Sequence, residues 1–162
     1  MRSLTRIVPL IAAAAFLAAV NPAPVMRPGL AQVTCNDGPA AGLWILPTAP
    51  GGIGLVHGRL IDSATSQTTH RIRLLLTDVP SPCLSCIQGE VSGFLYPGSG
   101  SAPAYEVRGE YGGSFFSGAG KCQLRIFRVG GGPAVGFLEG RFDDLPGDGM
   151  PGTFDGHWQI CQ

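Results

Sequence analysis

Five times the chain repeats one short pattern, apolar-x-Gly-x-apolar. It reads Val56-His-Gly-Arg-Leu60, Val91-Ser-Gly-Phe-Leu95, Val107-Arg-Gly-Glu-Tyr111, Leu138-Glu-Gly-Arg-Phe142 and Phe154-Asp-Gly-His-Trp158. Side chains of a β-strand switch sides at every residue, so the apolar and Gly positions share one face and the mostly polar residues between them share the other. Two wide gaps separate the copies, and each holds one more alternating segment: Ile72-Arg-Leu-Leu-Leu76 and Cys122-Gln-Leu-Arg-Ile126. Leu43-Trp-Ile-Leu46 precedes the series. The result is eight short segments, roughly one every sixteen residues, with Gly, Pro, Ser and Asp between them. Beyond residue 31 no Gly- and Pro-free window keeps a helical period for ten residues. This predicts an all-β fold, an antiparallel up-and-down meander of about eight short strands closed into a barrel, with a two-sheet sandwich as second choice.

The last hairpin can be given a register. With Gly140 facing Gly156, Leu138 faces Trp158 and Phe142 faces Phe154 on the apolar side. On the other side Glu139 faces His157 and Arg141 faces Asp155, as a stable antiparallel pair requires. His157 therefore reads as a cross-strand partner, and His57 and His70, with no cluster near them in sequence, read as structural too. A Gly in the middle of an apolar face weakens a strand and calls for a reason. Either another backbone comes close in a tightly coiled sheet, or the gap leaves room for a ligand, since eight strands is the size at which a barrel is filled or holds one small molecule. The bulky residues on each side of the glycines favour coiling.

Residues 1–31 read as a signal peptide. Arg2 and Arg6 precede an apolar run from Ile7 to Val20, and Gly29-Leu30-Ala31 offers a small-residue cleavage site. The run has 14 residues, short of the roughly 20 that span a bilayer. Residues 32–162 then form a single all-β domain, secreted or periplasmic. Their 24 Gly and 10 Pro would by themselves suggest disorder, but the regular apolar pattern argues for a fold. With 8 basic and 11 acidic side chains and Lys121 as the lone lysine, this domain lacks the basic footprint of a nucleic-acid binder.

All five cysteines (Cys35, Cys83, Cys86, Cys122 and Cys161) lie in the exported part, where disulfides form. Cys83-Leu-Ser-Cys86 has CxxC spacing, but Ile87 stands where a haem-attachment motif needs His. The segment after Cys86 reads as strand rather than the helix of a redox motif, and no second ligand pair suggests zinc. In a meander Cys35 and Cys161 meet at one end of the barrel and would pin its first and last strands. Cys83, Cys86 and Cys122 meet at the other. The expected bridges are Cys35–Cys161 and Cys122 with Cys86, or else with Cys83. One thiol is left over, available to join two copies.

Strand parity also gathers the connections. Residues 47–54, 78–88, 112–120 and 143–151 share one end; 62–70, 97–104 and 129–133 share the other. The first set holds the CxxC, the aromatic pair Phe115-Phe116 and three carboxylates, Asp143, Asp144 and Asp148. The second is mostly Ser, Thr, Gly and Pro. Binding residues tend to sit on loops held by a rigid scaffold, so Phe115 and Phe116 are candidate apolar contacts, and Asp143, Asp144 and Asp148 candidate polar ones. The aspartates lack the spacing of a calcium loop, and no hydrolase, phosphate-loop or dinucleotide motif occurs in a usable context. The reading is an exported, non-catalytic module that binds a small molecule or a protein, with no cofactor, no metal and no membrane association of the mature chain. The alternatives are an extracellular structural or assembly protein, an outer-membrane barrel, whose strands need about 9–11 residues where these read shorter, and a secreted hydrolase.

Overall fold

The computed structural model describes residues 33–48, 51–81, 83–145 and 150–162. They form eight strands: β1 (Cys35–Ile45), β2 (Ile53–Ile61), β3 (Thr68–Asp78), β4 (Cys86–Pro97), β5 (Tyr105–Ser114), β6 (Ala119–Arg128), β7 (Ala134–Asp143) and β8 (Gly152–Cys161). Each is antiparallel to the next, and β1 pairs with β8, so the meander closes as a barrel rather than a sandwich. The strands are 9 to 12 residues long, about twice the length of the sequence pattern. Alternation marks only their middles, because small residues such as Gly38, Pro39 and Ala40 carry β1 onward without an apolar signal.

The apolar-Gly face points inward. Residues from all eight strands build one buried cluster in the lumen, with Trp44 and Trp158 at 0% and 1% exposure among its largest members. Burying a large apolar side chain stabilises by about 1.5–3 kcal/mol, so this lumen is a packed core. The glycines are part of that packing. A Cβ on Gly109 would lie 2.1 Å from the Gln123 carbonyl oxygen, and one on Gly156 2.2 Å from that of Glu139. Glycine is present there because the neighbouring backbone occupies the space of a side chain, which is the coiled-sheet solution and not a ligand chamber.

The β7–β8 register sets Gly140 against Gly156, Leu138 against Trp158 and Phe142 against Phe154. His157 faces Glu139 across the strands, yet the carboxylate its Nε2 approaches is that of Asp37 on β1, at 3.9 Å. The last strand is thus tied to the first by the backbone ladder, with this side-chain pair beside it.

Cys35 and Cys161 are bonded across this closing seam, with Cα atoms 4.0 Å apart. The other disulfide departs from the expected one: Cys83 is joined to Cys86, and Cys122 is free. The reason is parity. Cys122 alternates in step with Leu124 and Ile126, so it points into the lumen between Tyr111 and Gly140, buried where neither loop cysteine reaches. Burial pushes its thiol up to about 12, so the reactive thiolate does not form near neutral pH. A second chain reaches this thiol only by opening the barrel, which removes the physical basis for joining two copies through it. All eight strands and both disulfides fall within residues 35–161, and Thr34 and Gln162 extend the ladder by one pair.

Candidate functional site: the upper end of the barrel

The described residues of the connections 46–52, 79–85, 115–118 and 144–151 lie at one end, here the upper; 62–67, 98–104 and 129–133 lie at the lower end with the Cys35–Cys161 end of the closing seam. The upper loops are tied to each other. The Phe115 N–H donates to the Ser85 carbonyl at 2.8 Å, joining the β5–β6 turn to the disulfide loop. Gly118 closes that turn with φ of 67°, a left-handed conformation suited to glycine. A Cβ there would also strike the Asp144 carbonyl, so this turn sits directly against the β7–β8 connection.

These ties hold apolar side chains out in solvent. Phe115 and Phe116 meet edge to face with ring centres 6.2 Å apart, and they are 48% and 79% exposed. Leu84, at the tip of the disulfide loop, is 100% exposed. Ile53, Val79, Leu145 and Met150 are exposed around the same rim. Leu84 escapes a search for aromatic and charged loop residues, although its place between two bonded cysteines, in a loop too short to fold inward, is a usable signal.

The three aspartates separate. Asp143 is exposed at the end of β7. Asp144 is only 5% exposed: its Oδ2 accepts the Leu46 N–H at 2.6 Å, and its own N–H donates to the Gly118 carbonyl. It ties three upper loops together, as a buried carboxylate does where it satisfies buried donors. Asp148 lies outside the described residues.

Beneath the loops an aromatic layer seals the lumen. Trp44 stacks on Phe142 at 4.5 Å, with Tyr111 and Phe154 against it. The Tyr111 hydroxyl donates to Asp78 Oδ1 at 2.6 Å. Burial first, then this carboxylate, hold the phenol protonated far above its ordinary range. The pair lies at the top of the core, with Asp78 half-buried at the end of β3.

The outer wall is polar in a patterned way. Over β4 to β8 it forms an open trough of about 1500 Å³, lined by Glu90, Glu110, Glu139 and Asp155 together with Arg108, Lys121, Arg125 and Arg141. Acids and bases lie mostly in separate rows there, Glu90 against Glu110 and Arg108 against Arg125, and their numbers balance. The strands do reach the length of membrane-crossing ones, so length is no argument against an outer-membrane barrel. Such barrels carry an apolar band outside, whereas over β4 to β8 the outer wall here is charged and the lumen apolar. Among the described residues no three His, Cys, Asp or Glu side chains gather as a metal site. Compared with protein-family models, with curated proteins and with solved structures, the chain has no match.

Proposed function

We propose that this chain is an exported, non-catalytic binding module that takes a protein partner on the upper end of its barrel. The observation that carries the reading is the concentration of exposed apolar side chains, Leu84, Phe115, Phe116, Leu145 and Met150, around the backbone bonds that join Phe115 to Ser85 and Asp144 to Gly118. Exposed apolar clusters on rigid supports are what interfaces use as anchors. The packed lumen favours a protein over a small molecule, because the interior offers no chamber. Asp143 supplies a polar contact at the rim. Two disulfides suit an oxidising compartment, which supports a secreted or periplasmic site.

Native mass spectrometry of the protein taken from its own host tests this. Wild type should carry a partner subunit that is lost from Phe115→Ser/Phe116→Ser and kept by the lower-end variant Val129→Ser. Retention of the partner by the double variant, with the barrel still folded, would sink the assignment.

A further inference from the structure

One part of the outer wall is not balanced like the trough. Across β1 to β4 the registers set three rows side by side: Ala41, Arg59, Arg71 and Tyr96; then Leu43, His57, Arg73 and Phe94; then Ile45, Leu55, Leu75 and Ser92. No acid stands at any of these positions. Arg59 and Arg71 are direct partners, an arrangement that opposes pairing because like charges are held side by side. Arg71 donates to the Gly100 carbonyl through Nη2, while its Nε is buried with no partner among the described residues. The Arg73 guanidinium lies over the Tyr96 ring at 5.5 Å. Arg108 pairs with Glu106 elsewhere on the wall. Beside this basic patch Leu43, Leu55, Leu75 and Phe94 are exposed.

Arginines without counter-charge, an aromatic shelf and an adjoining apolar row together match one chemistry, an anion attached to hydrocarbon. From this charge complementarity we infer that the β1–β4 wall docks the barrel on an anionic lipid surface. Arg59, Arg71 and Arg73 meet the headgroup phosphates, and Leu43, Leu55, Leu75 and Phe94 lie against the adjoining acyl boundary. Peripheral attachment of this kind combines buried apolar area with electrostatic attraction to anionic lipids. A soluble polyanion would use the arginines and leave the leucines idle. The top row of this face adjoins the upper rim at Ile53 and Val79, while Phe115 and Phe116 lie on the β5–β6 turn, outside the β1–β4 wall.

The test is sedimentation of residues 32–162 with vesicles of phosphatidylcholine, alone or containing phosphatidylglycerol. Binding should require phosphatidylglycerol and weaken as salt rises. Arg59→Gln/Arg71→Gln/Arg73→Gln should lower vesicle affinity on the order of a hundredfold. Its melting temperature should equal or exceed that of wild type, since it relieves a like-charge pair. Leu55→Ser/Leu75→Ser should weaken vesicle binding and leave binding to inorganic polyphosphate unchanged. The trough variant Arg125→Gln/Arg141→Gln should bind vesicles like wild type. Absence of binding to anionic vesicles overturns the proposal, as does a triple variant that binds undiminished or a trough variant that loses as much. Wild-type vesicle binding by the leucine variant, with polyphosphate competing, would make the partner a soluble polyanion and reject lipid.

Discussion

The two ends of the barrel solve the same problem, joining antiparallel strands, in opposite ways. At the lower end polar groups bond both within a turn and across the barrel, with few large apolar side chains among the turns. Asp62 accepts from the Ala64 and Thr65 N–H groups and the Thr65 hydroxyl, at 2.8 to 3.0 Å. These bonds lower its carboxyl below the ordinary value. Trp158 Nε1 donates to the Ile61 carbonyl, Gln162 donates to the Tyr105 hydroxyl, and Thr34 and Gln162 exchange two backbone bonds. At the upper end the loops hold one another, and their large apolar side chains are left outside. A self-satisfied end has little to offer a partner. An end whose backbone is tied while its hydrophobic groups stay exposed has a surface already formed.

The disulfides give the sharpest contrast. The seam bridge Cys35–Cys161 closes a separation of 126 residues, while the upper bridge Cys83–Cys86 closes one of 3. Loop-closure entropy alone makes the first worth about 5 kcal/mol and the second about 2. Cys35→Ser/Cys161→Ser should therefore lower the denaturant midpoint much more than Cys83→Ser/Cys86→Ser, and mild reductant should open the upper bridge first. Equal losses would mean that the lower end does not depend on its seam. Within the upper end, Asp144→Ala strands the Leu46 N–H and should cost about 1–3 kcal/mol, whereas exposed Asp143→Ala should stay within about 0.5 kcal/mol. Calorimetry of the pair decides whether Asp144 is a tie. The smallest effect belongs to the lower end, where burial lowers the His70 imidazole below its ordinary value. Its folded-state pKa lies below the unfolded one, so the stability it supports is complete above about 6.5 and is lost as pH falls through the folded-state value. The melting temperature should drop over that window, and His70→Gln should flatten the drop.

Much of the fold is legible in the sequence. Alternation around a fixed Gly identifies five of the strands, and pairing Gly140 with Gly156 places four cross-strand pairs correctly. Parity carried past the motif is where sequence and structure part. Cys122 has the phase of Leu124, and Asp144 has the phase of Phe142. Both resemble loop chemistry in the sequence, although their phase points inward. The row of Arg59 against Arg71 is invisible for a different reason: it depends on the β2–β3 register, and no symmetric pattern in those two segments specifies one.

The central claim is that the upper end, and not the lower, meets the partner. A photo-crosslinking residue placed in the host at Phe116, and separately at Gly131 in the lower turn, reads this directly. The account expects a covalent adduct of defined mass from position 116 and none from position 131. Adducts from 131 with none from 116 would contradict it.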